Sequence, residues 1–370
     1  GYLALQVNTT GASNTAVGSG ALDANTTADY NTAVGQAALG ANTTGTSNVA
    51  VGYAALDANT TAANNTSLGY NNLTANTTGS YNTAVGSSAL GSNTTGDLNT
   101  AVGYQALTTN VDGDRSTAVG YQALYTQEPA SNVDMYNVMV GHIAGYGLTT
   151  GIRNTGVGAA VLQGTVTGND NTALGYNGLT SNTSGQFNVG VGAYTLDANT
   201  TGDENIAVGY NALTASVDGD GNIGVGNAAG YAVTTGSNNI LIGKDAGRTG
   251  SPGGNVTTAS NQLVLGDENI SSSNIQVDWT VASDERDKTD FTALDVGLDF
   301  VNALAPVTYK WDKRSKYIDK TDPSVDLDTV SHDGTHKEDW LDIGFKAQEV
   351  EALEIAAGYK IADKTNLTTS

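Results

Sequence analysis

The chain contains no cysteine and only four prolines, so disulfide bonds are excluded as a source of rigidity. Basic residues are also scarce, with 15 Lys and Arg against 37 Asp and Glu. The resulting net charge of −22 argues against nucleic acid as a partner. No apolar run approaches the length of a membrane span and no secretory signal is present, so we expect no membrane insertion. Rigidity is therefore expected to come from stacking or from oligomerisation.

Glycine is abundant, with 47 residues, and many of these glycines mark a repeat. The cleanest copy reads Asn-Thr-Ala-Val-Gly at residues 31–35, Ala-Leu at 38–39 and Asn-Thr-Thr-Gly at 42–45. A strict short period predicts that each unit is one coil of a stacked array. The spacing is 17 residues except for 21 before Gly141, and a looser copy follows six residues late at Gly266. The anchor glycines are Gly1, Gly18, Gly35, Gly52, Gly69, Gly86, Gly103, Gly120, Gly141, Gly158, Gly175, Gly192, Gly209, Gly226 and Gly243.

Each unit predicts a short strand that ends at the anchor glycine. The residue before the anchor is aliphatic, as at Val34, and the residue before that is usually small, as at Ala33. Successive strand side chains face opposite ways. We expect the aliphatic row to fill the coil interior, and the small row to lie where a second protomer's backbone approaches closely.

A second apolar rung lies four residues after each anchor and is usually leucine, as at Leu39. The Asn-Thr-Thr-Gly segments predict turns, since Asn and Gly tolerate positive φ and Thr can bond its own backbone. The predicted fold is mainly β: a parallel β-solenoid of 17-residue coils, trimeric, followed by a small α+β domain with helices. At ~4.8 Å per coil, the rod would be roughly 70 Å long.

A sharp change in charge marks a domain boundary near residue 283. Residues 1–282 carry 18 acidic and 4 basic side chains, whereas residues 283–370 carry 19 acidic and 11 basic ones. We predict a solenoid rod at 1–248, a cap and linker at 249–282 and a second domain at 283–370. The chain begins on an anchor glycine in the middle of a unit, so we expect an upstream portion.

Three short strings follow one another in the second domain. Ser-Asp-Glu-Arg-Asp-Lys occupies 283–288, Leu-Ala-Pro-Val-Thr-Tyr-Lys-Trp occupies 304–311, and Gly-Phe-Lys-Ala-Gln-Glu-Val occupies 344–350. A helix-like stretch with Leu294 and Leu298 on one face lies between the first two. Together the strings resemble the intramolecular chaperone auto-processing domain at the C-terminus of phage tail fibres and tailspikes.

That resemblance implies a domain that trimerises, drives folding of the upstream fibre and then cuts itself off before its opening serine. The scissile bond would be Ala282–Ser283, with Ser283 as the nucleophile and Lys288 as its general base. A lysine acts as a base only where its pKa is lowered towards neutrality. Asp287 departs from the family pattern, which usually has an aliphatic residue there.

Four further residues of these strings are expected to support the site. Asp284 and Arg286 are expected to stabilise the local fold. Gln348 and Glu349 are expected either to orient the site or to hold the domain together. No metal site and no cofactor is predicted, and the enzyme activity would be at most a single self-cleavage by a serine endopeptidase.

Other features have simpler interpretations. His332 and His336 lie in an acidic loop, and the Asp-Gly-Asp segments at 112–114 and 218–220 are expected to be ordinary turns rather than calcium sites. The four-residue insertion near 125–136 is expected to protrude. Tyrosines after the anchor glycines predict a surface row that either contacts sugars or packs between protomers: Tyr53, Tyr70, Tyr104, Tyr121, Tyr176 and Tyr210.

The sequence thus predicts a homotrimeric phage tail-fibre segment, located in the virion and extracellular when mature. Its partners would be other virion tail proteins and a host cell-surface receptor or glycan. One alternative is a bacterial trimeric surface adhesin, because the rod also resembles the heads of trimeric autotransporter adhesins. Another is the non-catalytic part of a polysaccharide-degrading tailspike, with any glycan-cleaving activity upstream of Gly1.

Overall fold

The computed structural model describes residues 1–164, 166–272, 300, 302–310, 335, 337, 339 and 342–356. The chain divides into two compact units, Gly1–Ile270 and Ser271–Ser370. The last copy of the repeat lies in the first unit, so residues 249–270 continue the solenoid. The predicted domain start at residue 283 lies outside the described residues.

One parallel sheet of 15 strands runs through the first unit, with the strands in chain order. Equivalent residues of adjacent coils pair, as Thr32 does with Val49. The predicted parallel β-solenoid with a 17-residue repeat is therefore confirmed. The strands are β1 (Thr15–Val17), β2 (Thr32–Val34), β3 (Val49–Val51), β4 (Thr66–Leu68), β5 (Thr83–Val85), β6 (Thr100–Val102), β7 (Thr117–Val119), β8 (Val138–Val140), β9 (Thr155–Ala159), β10 (Thr172–Tyr176), β11 (Val189–Val191), β12 (Ile206–Val208), β13 (Ile223–Val225), β14 (Ile240–Ile242) and β15 (Leu263–Leu265).

The strand side chains face opposite to the prediction. The small strand residues, such as Ala33 and Ala50, are buried in the interior, and the aliphatic residue before the anchor lies outside. The exposed fraction is 57% for Val17, 47% for Leu68 and 43% for Ile242. The prediction was wrong because a period of two shows that the faces differ but not which of them is buried.

The interior is narrow, and the second-rung leucines fill it as predicted. Leu39 and its equivalents are buried and pack against the small strand residues in one continuous core. Where β8 carries the larger inward Met139, the facing position on β9 is Gly156, whose added Cβ would collide with the Met139 sulfur. A close-packed coil of this size thus has room for one large side chain at each level.

Two rows of buried asparagine run along the interior. In the pre-strand row an asparagine directly precedes every strand except β7 and β15, where Ser116 and Gln262 take its place. The Asn48 backbone N–H donates to Asn31 Oδ1 at 2.9 Å, and Asn48 Nδ2 donates to the Ala62 carbonyl at 2.9 Å. In the turn row the asparagine opens each Asn-Thr-Thr-Gly segment, and Asn59 Nδ2 donates to Asn42 Oδ1 at 2.8 Å. These bonds satisfy polar groups that would otherwise be costly to bury.

The positive φ angles lie at other positions than predicted. In one coil they are at Ala37 (58°), Leu39 (51°) and Ser47 (59°), not at Asn42 or Gly45. The turn threonine also bonds differently, because Thr43 Oγ1 donates to the Thr60 carbonyl of the next coil at 3.0 Å rather than to its own backbone. Left-handed leucine is unfavourable on its own, so burial of its side chain and the coil-to-coil bonds must stabilise it.

The anchor glycines are required by the closeness of neighbouring coils. Gly69 has φ 143°, and a Cβ added there would lie 2.5 Å from the Gly86 carbonyl oxygen. Both the conformation and the space exclude a side chain. This explains why the glycine recurs in every unit.

The described part of the second unit contains a small antiparallel ladder and a helix. Strand β16 (Val307–Tyr309) pairs with β17 (Asp342–Gly344), and helix α1 covers Ala347–Ala356. Residues 300, 302 and 303 are helical, at the end of the stretch predicted as helix. Within the described residues, no helix is both long and apolar enough to cross a membrane.

Candidate functional site

The predicted cleavage site lies outside the described residues. This applies to Ala282, Ser283, Asp284, Arg286 and Lys288. Their roles therefore stay predictions. The same holds for the two histidines of the acidic loop, His332 and His336.

Two of the three strings of the second domain are brought together. The Pro-Val-x-Tyr string forms β16 and the Gly-x-x-Ala-Gln-Glu-Val string begins in β17, with Val307 paired to Gly344. A Cβ added at Gly344 would lie 3.2 Å from the Tyr309 ring, so glycine lets the tyrosine cover the strand. The strings thus form one folded element although more than thirty residues separate them.

The first turn of α1 holds the two predicted supporting residues. Gln348 lies in that turn, and the Glu349 carboxylate accepts a bond from Lys346 Nζ at 2.6 Å. A carboxylate near a helix N-terminus is stabilising. Val350 is buried beneath them. The ion pair of Glu349 with Lys346 joins residues at the start of the helix, which is a structural contact.

The outer face of the solenoid sheet carries an aliphatic side chain from every coil. Each strand places two side chains on it, the first residue and the residue before the anchor, such as Ile206 and Val208. These two are 38% and 36% exposed in the single chain. The residues before the anchors thus form a continuous exposed aliphatic row, and a row of this kind marks an interaction surface.

The predicted tyrosine row is on the surface, and its rings stack on each other within the chain. Tyr53 and Tyr70 lie 5.3 Å apart between ring centres, and Tyr104 and Tyr121 lie 5.5 Å apart. His142 continues the second stack at 5.2 Å from Tyr121. Neither sugar contact nor packing between protomers is needed to explain these pairs.

The insertion before Gly141 is exposed at residues 130–134 and is tied to the adjacent coil. Arg115 pairs with Asp134 at 2.6 Å, and Tyr136 Oη donates to the same carboxylate at 3.0 Å. Beneath it, Gln127 takes the place of a turn-row asparagine. Gln127 Nε2 donates to Asn110 Oδ1 at 3.1 Å, and Gln127 Oε1 accepts from Asn137 Nδ2 at 3.0 Å. The buried polar rows therefore continue past the insertion.

The acidic turns make structural contacts. Asp114 Oδ1 accepts the Asp97 N–H at 2.7 Å, and Asp220 Oδ1 accepts the Asp203 N–H at 2.8 Å. In the described part of the chain, no group of three or more His, Cys, Asp or Glu is arranged to hold a metal ion.

Carboxylates along the rod have different environments. Burial raises the pKa of Asp57, and the Asp23 carboxylate two coils away adds to that rise. In contrast, a hydrogen bond from Arg153 lowers the pKa of Asp170. Ionisation therefore lowers the stability of the fold at Asp57 and raises it at Asp170.

A cavity of about 420 Å³ lies near the end of the stack, between Tyr231 and Asp267. Both nearby cations bind one carboxylate: Lys244 Nζ lies 2.8 Å and Arg248 Nη1 2.5 Å from Asp245. The Arg248 guanidinium also lies 4.8 Å from the centre of the Tyr231 ring. Arg248 thus contacts both its own coil, at Asp245, and the preceding coil, at Tyr231.

Sequence reasoning missed the two asparagine rows and the direction of the strand side chains. The signal for the rows was present, since asparagine recurs at two fixed positions of the unit. Asparagine is also common in turns, so the recurrence by itself does not distinguish a turn residue from a buried row.

Residues 283–359 match the family described as chaperone of endosialidase. The matched span contains all three strings of the second domain. No curated protein and no solved structure matches the chain. The chain therefore combines a β-solenoid with a following segment that is similar to this chaperone family.

Proposed function

We propose that this chain is a structural and adhesive segment of a phage tail fibre, whose C-terminal domain assists its folding and trimerisation. The observation that carries the proposal is the chaperone match at residues 283–359, directly after a long periodic solenoid. Periodic strands pair almost equally well in shifted registers. A chaperone fused behind such a stack would help to select the correct register.

The outer sheet face is the surface through which three copies associate. Fifteen strands contribute two side chains each, and the residue before every anchor is aliphatic. Burying this face between protomers removes the exposed aliphatic row from water. Acidic side chains such as Asp97 and Asp203 lie in the turns rather than on these strands, so they do not oppose the association.

The second unit also exposes apolar side chains. Ile343 is 80% exposed in β17, and Phe345 and Ile355 are exposed as well. Exposed aliphatic and aromatic groups of this kind suit a domain that acts on other chains or copies.

Self-cleavage at Ala282–Ser283 completes the proposal. The Ser283 hydroxyl would attack the Ala282 carbonyl while Lys288 accepts its proton, and the peptide C–N bond would break as the Ser283 amine leaves with a proton. Water then hydrolyses the resulting ester to an Ala282 carboxylate and a free Ser283 hydroxyl. Chain release after assembly would make cleavage a maturation step.

Mass spectrometry of the recombinant chain tests the cleavage. We expect a new N-terminus at Ser283 in the wild type, and only full-length chain in Ser283→Ala and Lys288→Ala. Ser272→Ala is the matched control and should cleave normally. Asp287→Val should cleave faster, because a neighbouring carboxylate favours the protonated lysine. Uncleaved wild type would contradict the protease role but not the chaperone role.

Sedimentation of the full chain tests the assembly. We expect a trimer, and a well-folded monomer would contradict the interface on the outer sheet face. Incubation with capsular polysaccharide should leave the polymer intact, since any glycan-cleaving residues are expected upstream. Depolymerisation would favour the tailspike alternative.

A further inference from the structure

The tyrosine row is interrupted, and the interruptions leave aromatic ring faces uncovered. One stack ends at Tyr70 and the next begins at Tyr104, with Ser87 at the equivalent position of the coil between them. Rings in adjacent coils lie 5.3 Å apart in the first stack. Two such steps leave roughly 10 Å between the rings of Tyr70 and Tyr104.

A gap of that size accepts one ring between two others. Stacked rings need ~3.5–4 Å of separation from each neighbour, so the middle of the gap fits a single six-membered ring. Serine is too short to fill this space. The slot thus has Tyr70 and Tyr104 as walls and Ser87 as its floor, and we call it the Ser87 slot.

The same rod contains a filled version of this slot. Tyr176 and Tyr210 are likewise separated by one coil with a small residue, Ala193, at the row position. There the next residue, Tyr194, places its ring between them edge-on, with centres 5.4 Å from Tyr176 and 6.0 Å from Tyr210 and interplanar angles of 83° and 89°. In the Ser87 coil the residue at that position is Ser88. The comparison shows that a space of this size holds a six-membered ring, and that the Ser87 coil has a serine where the other coil has the ring.

The rim of the Ser87 slot is polar and uncharged. The residues that follow the row in the three coils are Asn71, Ser88 and Gln105, all half-buried. Amides and hydroxyls of this kind bond sugar hydroxyls, while the positive C–H edge of a sugar ring lies well on an aromatic face. A planar aromatic ligand would use the walls but not the rim.

A second gap provides an internal comparison. His142 and Tyr176 flank Ala159 in the same way, but the corresponding rim residues are Ile143, Ala160 and Asn177. Two of these three are apolar and offer no hydrogen bonds to a sugar. Ring stacking alone is therefore available there.

We propose that the Ser87 slot binds one neutral pyranose ring of a glycan, held between Tyr70 and Tyr104. This inference deepens the adhesive role proposed above and depends on it for its biological meaning. A site of one sugar ring has few atoms, so we expect a dissociation constant on the order of 1 mM per slot. Three slots on a trimer would raise the effective affinity through multivalency.

The test is binding of the full chain to neutral oligosaccharides of hexoses and N-acetylhexosamines, measured by ligand-observed NMR. We expect binding by the wild type and at least about tenfold weaker binding by Ser87→Tyr, which fills the slot with the ring that the row lacks. Tyr70→Ala should weaken binding similarly. Ala159→Tyr is the matched control and should bind as the wild type does.

A gain-of-function variant strengthens the test. Tyr194→Ser opens the slot between Tyr176 and Tyr210, and its rim residues Asn177 and Asn211 are also amides. We expect about twice the binding capacity. Wild-type-like binding by Ser87→Tyr, or no binding of any neutral sugar by the wild type, would overturn the inference. Sedimentation and cleavage of the same samples report separately on the proposed function.

Discussion

The coils before the insertion and the coils after it share one interior but differ in their outer face. In the first block, β1–β7, six of the seven strands begin with threonine. In the second block, β8–β15, six of the eight begin with Val, Ile or Leu. The residue before the anchor is aliphatic in both blocks. The outer face is therefore half polar in the first block and mostly apolar in the second.

This gradient indicates where association of protomers would be strongest. Apolar area per strand is larger in the second block, and that block is nearer in sequence to the chaperone domain. Assembly that begins at the second block and proceeds towards Gly1 would need only weak contacts in the first. The interior, in contrast, keeps the bond from pre-strand asparagine to a turn carbonyl in both blocks.

A charge on the outer face should have the largest effect and should separate the two blocks. Ile206→Asp places three carboxylates in the proposed trimer interface, each costing several kcal/mol without a partner. We expect dissociation to monomers in sedimentation. Thr66→Asp, the matched control in the first block, should leave the trimer largely intact. Equal effects of the two variants would contradict the gradient.

Removal of a pre-strand asparagine should be costly to the same extent in either block. Asn65 and Asn171 each bond a carbonyl through Nδ2 at 2.9 Å and accept an N–H from the next coil. Each alanine variant leaves a buried N–H without an acceptor, so we expect a loss of about 2–3 kcal/mol. Chemical denaturation measures it. A difference above ~1 kcal/mol between the variants would show that the interiors are not equivalent.

The turn row should be more tolerant than the pre-strand row. In the second block Leu148 and Val233 occupy turn-row positions and are buried. The Gly79 carbonyl accepts from Asn76 and also from Asn65, so it keeps one bond when Asn76 is removed. We therefore expect Asn76→Leu to cost about 1 kcal/mol less than Asn65→Leu in the same denaturation experiment. A larger cost would contradict this ranking.

The smallest predicted effect is a pH dependence of opposite sign in the two blocks. The raised pKa of Asp57 means that its contribution to stability is present at low pH and lost as pH rises through its folded-state pKa. Asp57→Asn should raise the melting temperature at pH 7. The corresponding gain in the free energy of unfolding should be less than about 1 kcal/mol.

Asp170 in the second block is the control for this effect. Its pKa is lowered by Arg153, so its contribution is present above the unfolded pKa and lost as pH falls through the folded one. Asp170→Asn should lower the melting temperature at pH 7, and the difference from the wild type should shrink as pH falls towards 3. Melting curves from pH 3 to 7 give both signs, and shifts in the same direction would refute the assignment.

Much of the rod was predictable because period and composition depend on local chemistry. The coil length, the position of the strands and the buried leucine rung follow from residues such as Gly35 and Leu39. The sequence did not show which strand side chains point into the interior, because the alternation of Ala33 and Val34 fits either orientation. The volume left by Leu39 decides the orientation, and that volume is a property of the closed coil.

The candidate site in the second domain was predictable only in part. The pairing of Val307 with Gly344 joins strings that are distant in sequence, and no local pattern indicates it. Gly344 leaves space for the Tyr309 ring, and this role can be seen only in the paired strands. The cleavage residues Ser283 and Lys288 remain predictions from resemblance.

The coil-to-coil bonds join equivalent residues in the same way at each step, and this has a consequence for the length of the rod. Asn48 bonds Asn31 in the way that Asn65 bonds Asn48, so a coil can be removed without changing the chemistry of the junction. Deleting residues 66–82 would shorten the rod by ~4.8 Å and leave both of its ends unaltered. Length in this molecule is therefore a separate, stepwise variable, which duplication or loss of a single unit can adjust without redesigning the protein.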